Sequence, residues 1–320
     1  MVNALYLLLG IGLLTIGGEA LIRGALAAAN RLGISPLLSG LVIVGFGTSS
    51  PELVVSVNAA LNNQPDIAIG NVVGSNIANI LLILGTCALI TPLAVKPMAL
   101  RRDGIMVVAA SILFLVIIVD GTVGRIDAFI SLMILIAYLI WAYRSERHHN
   151  APSAAVHQAE AEELSALPRS TIWTVTNIVV GLLLLIIGTR VLLLGAVGIA
   201  HYFEVSEAVI GLTLVAVGTS LPELTISIMA ALRRHADVAI GNILGSNIFN
   251  LLGILGVSAL LQPLSIHARI LQFDQWVMLG TAILLLLFLY TGRCLNRIEG
   301  GILLIAYGFY VTASFHSFSG

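Results

Sequence analysis

"GFGTSSPEL" at residues 45–53 and "AVGTSLPEL" at residues 216–224 each place a proline and a carboxylate inside a long apolar run. The copies stand 171 residues apart, and the register continues beyond them. Residues 47–85 align with 218–256 without a gap, with 24 identities in 39 positions. These include Thr48/Thr219, Ser49/Ser220, Pro51/Pro222, Glu52/Glu223, Ser56/Ser227 and Asp66/Asp237. They run on through "AIGNVVGSNIANILLILG" against "AIGNILGSNIFNLLGILG". Chance similarity between apolar helices matches Leu, Ile and Ala. It does not match Pro, Glu, Ser and Asn in register, so the chain is an internal duplication.

The chain has 320 residues, of which 58% are hydrophobic and 10% charged, with a mean hydropathy of +1.05. Soluble domains carry about 25% charged residues, so this is a polytopic membrane protein. A span needs roughly 20 apolar residues. Ten are expected, at 4–29, 36–61, 66–90, 104–119, 126–143, 173–200, 207–232, 237–261, 274–291 and 296–316. The N-terminus lacks a basic region and reads as a retained first span. Polar, Ala-rich "SERHHNAPSAAVHQAEAEELSALPRS" at 145–170 reads as the linker between halves, giving repeats at 1–144 and 173–320 around a 145–172 loop. Cys87 and Cys294 show no redox or metal spacing. All seven histidines are expected in loops or termini. Nothing points to nucleic acid or to an obligate protein partner.

Basic residues collect on the cytoplasmic side. With the N-terminus outside, twelve lie at or near the inner face: Arg23, Arg31, Lys96, Arg101, Arg102, Arg144, Arg147, Arg169, Arg233, Arg234, Arg293 and Arg297. Only Arg125 and Arg269 fall outside, and Arg190 falls within a span. Both termini are therefore expected outside and the linker inside. Five spans separate the motif copies, an odd number, so the copies cross in opposite directions. The loops agree: "ALNNQPD" follows the first copy and "ALRRHAD" the second. Inverted repeats of this kind mark secondary transporters whose site lies at the midplane between halves.

Proline has no N–H and clashes with the preceding turn, so each motif helix must break. The carbonyls near Gly45 and Phe46, and those near Ala216 and Val217, are expected to lose helical partners. In lipid, freed backbone is tolerated only where protein, water or an ion satisfies it. Thr48, Ser49 and Glu52 add side-chain oxygens, as do Thr219, Ser220 and Glu223. In the next span Asn71, Ser75 and Asn79 share one helical face at i, i+4 and i+8. Asn242, Ser246 and Asn250 repeat that stripe. Oxygen donors with two carboxylates suit a hard cation such as Ca²⁺ or Na⁺. The lack of imidazole and thiolate argues against zinc and copper. An anion site would want a central Arg or Lys.

Other motif residues have plainer readings. Asn76 and Asn247 fit interhelical hydrogen bonding, and Asp66 and Asp237 fit helix caps. For Asn71 and Asn242, packing and function are evenly balanced. Gly74 and Gly245 beside the serines also suit close helix packing. Glu19 and Arg190 occupy equivalent repeat positions, and Glu19 is expected to pair with Arg23 one turn on.

"GTSxPE" and "GNxxGSNxxN" resemble the signature repeats of the cation/calcium exchanger superfamily, in its sodium/calcium exchanger branch. The resemblance covers the whole chain and implies an all-α polytopic protein with ten transmembrane helices in two inverted five-helix repeats, broken at the midplane. It implies a bacterial inner-membrane antiporter that uses Na⁺ entry to extrude Ca²⁺ by alternating access, without a cofactor. The implied ligands are Thr48, Ser49, Glu52, Ser75 and Asn79, then Thr219, Ser220, Glu223, Ser246 and Asn250, with carbonyls near Gly45 and Ala216. The first and sixth spans would form a weakly packed pair that slides across the core. Several exchangers carry Asp where this chain has Asn250, so the formal site charge is −2 and not −3. Ca²⁺ or two Na⁺ neutralise it, and a third Na⁺ leaves +1. H⁺- or K⁺-coupled cation exchange is the alternative. An intramembrane enzyme or channel is the weakest reading, because neither motif core holds a nucleophile beside a base.

Overall fold

The computed structural model describes residues 2–94, 100–147, 170–202 and 218–316. Six of its helices are long and apolar enough to cross a bilayer, and a bent pair makes a seventh. All ten expected spans are represented among the described residues. The first is Val2–Leu32, and the second is the bent pair Pro36–Thr48 and Ser50–Leu61. The third is Pro65–Ile90, the fourth runs from Leu100 to Ile117, and the fifth is Arg125–Arg147. The sixth is Thr171–Tyr202, and the seventh is described from Gly218 through Leu221–Leu232. Ala236–Leu261, Ile270–Gly292 and Arg297–His316 complete the set. The linker at 148–169 and the first half of the seventh span, at 207–217, lie outside the described residues.

Each break follows from its proline. The second span starts on Ser35, whose Oγ accepts from the Leu38 N–H at 3.1 Å, with Pro36 in the first turn. It bends by 44° at Ser49 and restarts at Ser50. Pro51 deprives the Gly47 carbonyl of its helical donor, and the Ser50 hydroxyl replaces that donor at 2.7 Å. The seventh span breaks likewise at Ser220 before Pro222. Both restarted helices end in left-handed residues, Asn63 at φ 57° and Arg234 at φ 62°.

Wider π-helical turns recur in both halves, at Asn79–Leu84 and Phe249–Ile254, and at Leu100–Gly104 and Ile270–Asp274. Such turns shift the face that follows them and cluster at functional sites. They have no composition signal, and sequence reading missed them.

The third and eighth spans form the centre, with every residue from Asp237 to Ile248 buried. The eighth packs backbone to backbone on the second. A methyl group added at Gly40 would lie 2.9 Å from the Val238 carbonyl, and one at Gly45 2.8 Å from the Asn242 carbonyl. The first and sixth spans lie at the edge, against each other. Gly10, Gly17 and Gly24 recur every seventh residue, and Gly181, Gly188 and Gly195 repeat them 171 residues later. At the crossing a methyl on Gly17 would lie 3.0 Å from the Gly181 carbonyl. Mutual packing of this pair is thus close, unlike the weak packing expected of it.

Two short antiparallel pairs join the halves. Strand β1 (Leu93–Ala94) pairs with β4 (Cys294–Leu295), and β2 (Thr122–Val123) with β3 (Leu264–Ser265). The fourth and ninth spans begin earlier than expected, at Leu100 just before "RRD" and at Ile270 within "RILQFD", because their aspartates are satisfied internally. Asp103 accepts from Arg102 at 2.5 and 2.9 Å and from the Tyr138 hydroxyl at 2.7 Å. In the other half Asp274 accepts from Arg269 and Tyr310, each at 3.1 Å.

Candidate ion-binding site

Glu52 and Glu223 sit in the first turns of the restarted helices, Ser50–Leu61 and Leu221–Leu232. The positive ends of both helices thus favour their negative charge. Each glutamate is 1% exposed, and each is held by the opposite half. The Ser49 hydroxyl donates to Glu223 Oε1 at 2.9 Å, and the Ser220 hydroxyl donates to Glu52 Oε1 at 3.1 Å. Thr219 also interacts with Glu52, and Thr48 and Ser246 with Glu223. The repeat symmetry visible in the sequence is therefore a crosswise exchange of hydroxyls.

The Gly45 carbonyl, expected to be freed by the break, keeps the Ser49 N–H at 3.2 Å. It also accepts from Ser246 Oγ at 3.0 Å and Thr48 Oγ1 at 3.3 Å. The proline frees the carbonyl four residues before it, that of Gly47, and Ser50 satisfies that one. Ala216 lies outside the described residues.

Asn71 and Asn242 brace the glutamate helices. Asn71 Nδ2 donates to the Glu52 carbonyl at 3.2 Å and to Ser56 Oγ at 2.9 Å. Asn242 Nδ2 makes the same bonds, at the same lengths, to the Glu223 carbonyl and Ser227 Oγ. Its Oδ1 also accepts from Thr48 Oγ1 at 3.1 Å. These contacts tip the even balance toward support of the glutamates. Asn247 links the halves, accepting from Asn79 Nδ2 at 3.0 Å and donating to the Asn76 carbonyl at 3.3 Å. Asn76 Nδ2 turns back to the Val72 carbonyl at 2.7 Å. Neither Asp66 nor Asp237 holds the N-cap position expected of it. They stand inside the first helical turn, after Gln64 and His235, where their charge still opposes the positive helix end.

Buried polar atoms normally find partners. Among the described residues, Glu52 Oε2, Glu223 Oε2, Asn79 Oδ1 and both amide atoms of Asn250 find none. Ser75 is buried too, at 6% exposure. Each carboxylate thus keeps one oxygen free, and the amide oxygens of Asn79 and Asn250 add two neutral donors. Among the described residues, no three His, Cys, Asp or Glu side chains converge on a metal, at this site or any other. An oxygen shell with formal charge −2 can exchange its ligand bonds for a hard cation.

Glu19 pairs with Arg23, as expected, and also with Arg233 of the seventh span. Arg190 is exposed and is not its partner.

Comparison with known proteins agrees with this fold. The family model described as sodium/calcium exchanger protein matches residues 2–144 and 173–316. The sodium/calcium exchanger MaX1 of Methanosarcina acetivorans is 32% identical, with 98% of this chain and 99% of the relative covered. The inner membrane protein YrbG of Escherichia coli is 36% identical, with 87% and 86% covered. A solved structure of the sodium-calcium exchanger NCX_Mj, soaked with zero Na⁺ and Ca²⁺, superposes with a TM-score of 0.83 at 30% identity, covering 98% of both chains. With both inverted repeats matched, the chain belongs to the sodium/calcium exchanger family of membrane cation antiporters.

Proposed function

We propose that this protein is a Na⁺-driven Ca²⁺ antiporter of a bacterial inner membrane, extruding Ca²⁺ as Na⁺ enters. The observation that carries this reading is the crosswise pair of buried glutamates, each with one oxygen bonded across the halves and one without a partner among the described residues. Glu52 and Glu223 supply the charge. Thr48, Ser49, Ser75, Asn79, Thr219, Ser220, Ser246 and Asn250 supply neutral oxygens, with the carbonyls of Gly45 and Ala216. When a cation enters, hydroxyl protons now spent on Glu52, Glu223 and Gly45 turn outward and their oxygens face the ion. The transported ions are substrates, and no cofactor is required.

Na⁺ coupling is supported by the likeness to the sodium/calcium exchanger MaX1, and the inner-membrane location by the likeness to the inner membrane protein YrbG. The excess of basic residues supports an orientation with both termini outside and the 145–172 loop in the cytoplasm. H⁺ coupling is the second reading, because the same carboxylates bind protons.

The test is Ca²⁺ flux in proteoliposomes under a Na⁺, H⁺ or K⁺ gradient, each imposed alone. A Na⁺ gradient should drive uphill Ca²⁺ movement. Movement under the H⁺ gradient only would replace the Na⁺ reading with the H⁺ one.

A further inference from the structure

Glu19 stands within an apolar helix and is held by two arginines from different elements. Arg23 lies on its own helix, with Nε 2.5 Å from Oε1. Arg233, at the end of the seventh span, meets Oε2. The first pair travels with the first span wherever that span goes. The second ties the first span to the helix that carries Glu223. Beside it Gly18 packs on Met229 and Ile226.

The duplication should offer the same contact on the opposite face, but the residues there differ. At a spacing of 171, Glu19 corresponds to Arg190, Arg233 to Asn62, Met229 to Asn58 and Ile226 to Val55. Ile226 is 0% exposed and Val55 is 36% exposed, and Asn58, Asn62 and Arg190 are all exposed. Among the described residues the paired first and sixth spans therefore cover the seventh-span helix and leave its second-span counterpart open. One face has an acid and a base, whereas the other has Arg190 and an amide.

We propose that the Glu19–Arg233 ion pair is a one-sided latch. It holds the first and sixth spans against the face that carries Arg233. No ion pair takes its place when that unit crosses to the other face. This rests on the antiport reading, since a site used from both sides must be uncovered on each in turn. Glu19 and Arg233 are 23% and 37% exposed. A pair so placed biases a two-state ratio by up to about fivefold.

Reporter cysteines test it, Met229→Cys on the latched face and Asn58→Cys on the open one, each with Cys87→Ala and Cys294→Ala. Labelling rates with an impermeant maleimide are read in oriented vesicles, without transport. Glu19→Gln and Arg233→Gln should each speed labelling at 229 and slow it at 58, by about twofold to fivefold. Arg23→Gln should change neither, because its pair lies within one helix. Asn62→Glu supplies an acid opposite Arg190 and should shift both rates as Glu19→Gln does. A faster rate at 229 with no fall at 58 means local loosening and overturns the latch. So does an equal shift from Arg23→Gln. If Glu19→Gln does not fold, Arg233→Gln and Asn62→Glu decide. Loss of Na⁺-driven flux in the parent protein would count against the antiport reading alone, because the labelling rates need no driving ion.

Discussion

A carboxylate inside an apolar helix is stable only with a partner or an ion. Glu52 and Glu223 are each half partnered. One oxygen is bonded to a serine of the other half, and one has no partner among the described residues. Glu52→Gln or Glu223→Gln keeps the shape and leaves one negative charge facing a +2 ion. Ca²⁺ binding should weaken by about 3–5 kcal/mol, read as lost Na⁺-driven flux with reconstitution confirmed. Ser49→Ala or Ser220→Ala removes a neutral oxygen and should cost about 1–3 kcal/mol. Protons compete with cations for the same oxygens, so flux should fall as the pH drops. Near-normal flux from either Gln variant would remove that glutamate from the site. The glutamates were legible because charge in an apolar run has few explanations. Asp103 and Asp274 were not, because an aspartate beside arginines at the edge of a run also reads as a loop. Asp103 is fully buried with Arg102 and Tyr138. Asp103→Ala should therefore lower stability by about 3–5 kcal/mol with Ca²⁺ affinity intact. A thermal melt paired with a binding titration separates the two effects, and a weakened affinity would tie the cluster to the site.

At the scale of elements, prolines and polar stripes were readable because both have residue signatures. The breaks fall at Ser49 and Ser220, where Pro51 and Pro222 require them. The π-helical turns were not readable, since they depend on which face must be re-aimed after Asn79 and Phe249. The first and sixth spans gave a mixed result. Their glycines suggested small, weakly packed helices. In the fold the glycines bring two backbones together, and a methyl on Gly181 would lie 2.7 Å from the Leu21 N–H nitrogen. The two spans should therefore move as one body, with any sliding confined to their joint contact with the core. Gly181→Val wedges them apart at the crossing. Overpacking of this sort costs about 1–3 kcal/mol, and it should slow exchange without changing the ligand set. Measured as flux against Ca²⁺ concentration, the maximal rate should fall while half-saturation stays. A shift in half-saturation alone would show that Gly181 acts on the site.

At the scale of the molecule, two half-sites of opposite direction make one site, and a register of 171 residues made that visible before any helix was placed. The short strand pairs that join the halves were invisible, because two-residue pairings leave no periodicity. Direction across the membrane rests on the basic residues. A cysteine at position 157, in the linker, should resist an impermeant reagent in intact cells, and labelling from outside would invert the topology. The charge of the site also limits what one transport cycle can carry. Glu52 and Glu223 are the only formal charges in the proposed ligand set, because Asn79 and Asn250 are neutral in both halves. Ca²⁺ balances that charge, and so do two Na⁺. A third Na⁺ would leave an uncompensated positive charge in a medium where charge is expensive. An exchange of two Na⁺ for one Ca²⁺ moves no net charge, so the membrane potential should neither drive nor oppose it. With the potential set by a K⁺ gradient and an ionophore, Na⁺-driven Ca²⁺ flux should be the same at positive, zero and negative voltage. A rate that climbs steadily with voltage would show that a third Na⁺ crosses, and that a neutral group in the site carries it.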